Sequence, residues 1–156
     1  MTAEPRPSRP RMDGYGVPQG PEGMLPWEWA RERLSRSHNY WLMTARTNGT
    51  PHSMPVWGLW FEDAWYCSTA AGSRKARNLT ENPRCVVCNE DAAEAVVLEG
   101  MARSLRSSEI PPALPAAYKA KYSWDLQGSV FEVRPRVVFA MPENQFPGGA
   151  TRWDFA

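Results

Sequence analysis

The chain has 156 residues, 42% of them hydrophobic, which suits one domain with a single core and leaves little room for a second. Its 18 basic and 17 acidic side chains leave a formal net charge of +1, which argues against nucleic acid or an anionic membrane as partner. No apolar run approaches the roughly 20 residues of a membrane-spanning helix, and no apolar stretch follows the early arginines as in a secretory signal, so a cytoplasmic protein is expected.

Residues 1–24 are rich in Pro, Gly and Arg and show no period; they read as a disordered or draped arm ahead of a domain at 25–156. A short helix is predicted from Pro26 to Ser37, with Trp27, Ala30 and Leu34 on one stripe. Tyr40 to Arg46 reads as a strand, and Asn48-Gly49 as the following hairpin turn, because Asn-Gly accepts positive φ. The returning strand is placed at His52 to Phe61. A tight turn at Glu62-Asp63-Ala64 then leads into Trp65 to Thr69, making a three-stranded meander. Ser73 is a good N-cap for a short helix that stops before Pro83.

Strands are expected at 84–90 and 94–106. The first contains Cys85 and Cys88, whose C-x-x-C spacing on a strand sends the two thiols to opposite faces. With Cys67 the only other cysteine, and His38 and His52 the only histidines, a disulfide or zinc role has no support. A helix is predicted within 109–122, its end at Lys119, Lys121 and Tyr122 read as solvated. A last long strand runs from Ser129 to Met141, with Pro135 marking an edge or bulge. Short strands, tight turns and few helices indicate a β-barrel with helices at its ends. Trp41, Trp60 and Trp65 are expected to fill the barrel or an interface.

The segment richest in chemistry is Ser68-Thr69-Ala70-Ala71-Gly72-Ser73-Arg74-Lys75-Ala76-Arg77-Asn78. A strand ends in hydroxyls, a loop follows, and a helix opens on a hydroxyl and two cations. Free N–H groups at a helix start favour a phosphate. Arg74 would add a planar fork and Lys75 a mobile point charge. No Ser-His-Asp or Cys-His set is evident, so hydrolase chemistry has no support.

Together with Tyr40-Trp41-Leu42, Asn48-Gly49-Thr50-Pro51-His52, Pro55-Val56-Trp57-Gly58 and Thr151-Arg152-Trp153, this segment resembles the pyridoxamine 5′-phosphate oxidase-like split-barrel superfamily over residues 27–155. The likeness is nearest to the branch containing coenzyme F420-dependent reductases. It implies a mainly β fold: a six-stranded antiparallel split β-barrel with short flanking helices, dimerising with cofactor clefts between the subunits. It also implies that Ser53, Met54, Pro55, Val56 and Trp57 lie along the cofactor ring. Thr69, Ser73, Arg74 and Lys75 would hold its phosphate, with Asn78 shaping the pocket and Trp153 near the cleft.

Three departures accompany the resemblance. The basic and aromatic residues that hold a B6 substrate's own phosphate are missing, Asp154 stands where relatives often carry a base, and the low net charge promises no large basic groove. Arginines at 74, 77, 103 and 106 could supply a local one. The reading that follows is an oxidoreductase passing hydride between coenzyme F420 and a small conjugated substrate. The alternatives are an FMN-binding oxidase or reductase, and a non-catalytic flavin carrier. A homodimer with no nucleic-acid or membrane partner is expected, and no catalytic residue is identified.

Overall fold

The computed structural model describes residues 3–156. Among the described residues, nine strands form one antiparallel sheet, and six of them are long: β2 (Asn39–Ala45), β3 (Pro51–Trp57), β5 (Ala64–Thr69), β6 (Arg84–Asn89), β7 (Glu94–Leu105) and β8 (Ser129–Pro142). Three short strands are added to the expected six: β1 (Pro7–Ser8), β4 (Leu59–Phe61) and β9 (Thr151–Asp154). The helices are α1 (Trp27–Arg36), α2 (Arg74–Glu81) and α3 (Leu114–Tyr122).

The sheet runs β1-β9-β8-β7-β6-β2-β3, while β5 pairs with β8 and carries β4 on its other side. The chain passes from β3 to β4 at Gly58 without pairing the two, so the sheet curls on itself and stays open along that seam. This is the split barrel. The segment read as one strand from His52 to Phe61 is therefore two, and the expected meander is broken. Its cause is local: a Cβ at Gly58 would lie 2.2 Å from the Trp65 ring, so the backbone turns there over an indole. Glu62 and Asp63, with φ of 48° and 62°, make the two-residue hairpin turn that matches strand twist.

The register slips between Glu99 and Gly100, opposite Pro135. On its other side β8 pairs with β5 at residues 129–133 and with β9 at 137–140, so Pro135 falls in the gap where its missing N–H costs no ladder bond.

Trp65, Leu42, Tyr40, Val87, Leu98, Val133 and Val138 fill the barrel, and Trp27, Ala30 and Leu34 of α1 close it. Full burial of each large apolar side chain contributes about 1.5–3 kcal/mol. A second cluster, Leu59, Ala64, Tyr66, Leu105, Leu114 and Val130, joins α3 to the far face of β5. The N-terminal arm lies against β9, where Arg9 donates to the carbonyls of Gly148 and Ala150 at 2.7 and 2.8 Å. Among the described residues, no helix is long and apolar enough to cross a membrane.

Candidate functional site

Among the described residues, strand β3 has one paired edge and one free edge, because it pairs only with β2 and does so without a bulge. Prolines at 51 and 55 fit this ladder only if residues of their parity turn their backbone groups to the free side. That side then offers a row of carbonyl acceptors, with the amides of Ser53 and Trp57 as donors. Ser53, Met54, Pro55 and Trp57 are exposed, and Val56 packs against the core. The strand is a shelf with polar edges and an apolar surface.

The start of α2 carries the hydroxyl pair. Thr69 Oγ1 and Ser73 Oγ are 3.0 Å apart, and Ser73 Oγ accepts the amide of Ala76 at 3.3 Å as a helix cap. Gly128 lets the start of β8 press against this corner: its φ is +79°, and a Cβ there would lie 2.7 Å from the Thr69 carbonyl oxygen.

Desolvation, and then the like charges of Arg46 and Arg77, hold the Arg74 guanidinium below its usual range, with Glu81 offsetting part of the effect. Arg46, Arg74, Lys75 and Arg77 have no carboxylate within 4.0 Å among the described residues, whereas Arg103 and Arg106 are both paired with Glu109. Arg6, Arg9, Arg84, Lys121 and Arg136 also lack such a partner among the described residues, but it is at α2 and the end of β2 that cations act on one another, Arg46 and Arg77 on Arg74. Arg103 and Arg106, candidates from the sequence, are occupied elsewhere. Arg46 was not legible, because it lies far from the motif in the chain.

Helix α3 closes the junction after the shelf. The Tyr122 ring stacks on Trp57 at 4.6 Å and 10°, and its hydroxyl accepts the Gly58 amide at 2.9 Å. That hydroxyl lies 2.7 Å from the carbonyl oxygens of both His38 and Gly58, and its single proton serves one of them. Burial pushes the Tyr122 phenol up to about 12, so it stays neutral at physiological pH. Of the helix end expected to be solvated, Lys119 is exposed, Lys121 is partly buried and Tyr122 is packed in. Leu114, Tyr118 and Tyr122, four residues apart, are the signal for that buried face.

Two further residues sit deeper than a ligand contact requires. Trp153, expected near the cleft, is fully buried and packs on Trp27 at 5.4 Å, so within the protomer it belongs to the core. Asn78 is also fully buried; its Nδ2 donates to Thr44 Oγ1 at 3.0 Å, and its Oδ1 has no partner among the described residues. His52 faces Thr44 across β2 and β3, and its Nδ1 is likewise buried without a partner. Cys85 is buried and Cys88 half-buried on the opposite face of β6, and burial raises all three thiols to about 11 or 12. No cluster of three potential metal ligands occurs among the described residues.

The outer face of the sheet is apolar over several strands. Register places Pro55, Trp41, Cys88, Val97 and Phe139 in one cross-strand row, with Trp41 47% exposed. Trp60 and Trp65 lie inside, so Trp41 alone of that trio faces outward. Beside the row is an open groove of about 680 Å³ lined by Met43, Val86, Met101, Arg84, Glu99 and Arg136.

A family model described as pyridoxamine 5′-phosphate oxidase matches residues 27–141. Among solved structures, an F420 reductase is similar at 20% identity and a TM-score of 0.56, over 69% of this chain and 94% of that one. A conserved hypothetical protein from Mycobacterium tuberculosis is similar at 19% identity and a TM-score of 0.67, over 82% and 91%. The heme storage protein HutZ from Vibrio cholerae is similar at 20% identity and a TM-score of 0.60, over 73% and 90%. At these identities the likeness is one of fold. No curated protein matches the chain.

Proposed function

We propose a function from one premise: the chain belongs to the pyridoxamine 5′-phosphate oxidase family. In our reading it is an oxidoreductase that binds coenzyme F420 and acts on a small conjugated substrate. Ser53 to Trp57 would lie along the ring, and Thr69, Ser73, Arg74 and Lys75 would hold the phosphate. The donor set fits such a group: a free strand edge for ring heteroatoms, and hydroxyls and cations for a phosphate. When bound, the ring supplies hydride transfer, and the chain's part is to hold, orient and shield it.

The observation that carries the choice of cofactor is the group of four cations without acid partners, Arg46, Arg74, Lys75 and Arg77. FMN ends in one phosphate, which Arg74 and Lys75 can serve. F420 continues through a phosphodiester into a lactyl-glutamate tail, which gives Arg46 and Arg77 a counter-charge. The apolar outer row from Pro55 to Phe139 supports an isologous homodimer that covers it.

Titration by tryptophan fluorescence quenching tests this reading. F420 is expected to bind more tightly than FMN, with a margin that shrinks as salt rises. Arg74→Ala with Lys75→Ala should weaken either cofactor by about 1.5–3 kcal/mol per lost charge-assisted contact, with the fold intact by circular dichroism. Tighter FMN binding at every salt concentration replaces F420 with FMN. Failure of both to bind overturns the site.

A further inference from the structure

The whole chain contains three lysines, at 75, 119 and 121, and their settings differ. Lys119 is exposed and pairs with Asp125 at 3.0 Å. Lys75 is part of the cationic group at α2. Lys121 is partly buried at the end of α3 and has no carboxylate within 4.0 Å among the described residues.

Lys121 Nζ makes two hydrogen bonds, donating to the Tyr40 hydroxyl at 2.9 Å and to the Gly58 carbonyl oxygen at 3.0 Å. The Tyr40 hydroxyl spends its own proton on the Leu34 carbonyl at 2.5 Å, so toward Lys121 it can only accept. Two N–H donors are all that these partners require. A neutral amine provides two and keeps a lone pair; an ammonium ion has a third proton, for which the described residues offer no third hydrogen-bond acceptor.

The surroundings weigh the same way. Lys121 faces Tyr40 from β2, Tyr122 on its own helix, and Glu90 from the turn between β6 and β7; His38 lies against Tyr122. Glu90 accepts from the amides of His38 and Asn39 and from Asn39 Nδ2, at 3.1, 3.2 and 3.2 Å, so its charge is already engaged. Both phenols are raised and remain neutral. The two rings, at 4.8 and 5.2 Å, attract a cation. Desolvation nevertheless prevails and, against the pull of Glu90, brings the amine down to about 8.

We propose that Lys121 is a nucleophilic amine that condenses reversibly with a small aldehyde, in a site that the oxidoreductase reading does not require. The Nζ lone pair adds to the carbonyl carbon as the carbon–oxygen π bond breaks, and an amine proton passes to the oxygen. Loss of water then leaves a carbon–nitrogen double bond. No oxidant or reductant enters, and water reverses the step. Desolvation without a counter-ion is a way in which amines become nucleophilic near neutrality.

The test uses the intact chain with benzaldehyde and cyanoborohydride, which traps the imine as a stable secondary amine. Peptide mapping then reads each lysine separately. At pH 7.5 Lys121 is expected to be labelled at least ~10-fold faster than Lys119, as a depressed amine pKa requires. The Lys121-to-Lys119 ratio should fall steadily toward pH 10, as ordinary lysines lose their protons. Lys121→Arg should abolish the fast adduct and leave the Lys119 rate unchanged. Equal or faster labelling of Lys119, or a ratio that does not change between pH 7 and 10, overturns the proposal.

Discussion

At Gly58 a missing side chain, a phenol and an amine meet on one peptide. The glycine gives the Trp65 ring its space, Tyr122 bonds the peptide, and Lys121 shares its carbonyl. Tyr122→Phe separates the hydrogen bonds from the ring stacking. The stack on Trp57 survives, while the buried Gly58 amide loses its acceptor. The expected cost is about 1–3 kcal/mol of unfolding free energy, read from the urea midpoint. A variant as stable as the parent would show that the hydroxyl contributes nothing net. The role of Tyr122 was hard to read in sequence because its partner is a backbone amide 64 positions away.

Among the elements, those governed by local chemistry were legible. Asn48-Gly49 marked the first hairpin, Ser73 capped α2, and the divergence of Cys85 and Cys88 followed from strand alternation alone. Pro135 marked a bulge because a proline must avoid a ladder bond on either side. Elements shaped by distant packing were not. The continuous apolar run from Met54 to Phe61 conceals the break at Gly58, whose cause is an indole on the next hairpin. The family resemblance put Trp153 at the cleft, but α1 folds over it and makes it core. The arm carries no period to read, since Arg9 holds it through backbone carbonyls. For the candidate site, the hydroxyls and Arg74-Lys75 could be read in advance. Arg46 could not, because only the fold brings β2 beside α2.

For the whole molecule, the outer row of the sheet makes assembly testable. Trp41 is half exposed between Pro55 and Cys88, and a charge there would oppose burial against a second copy. The parent chain is expected to scatter light as a dimer at micromolar concentration, and Trp41→Glu as a monomer with unchanged secondary structure. A parent that scatters as a monomer would remove the dimer from the reading. The long central ladder also has a kinetic consequence. β8 is held by β7 along 12 register pairs on one side, and by β5 and then β9 on the other. Releasing its amides to solvent means parting most of the sheet, so β8 should open only when the molecule unfolds globally. In deuterium, peptides covering Val130–Val133 and Val137–Ala140 should exchange last and together. Those from β1 and β3, each paired on one side only, should exchange first, and mass spectrometry would read that order directly.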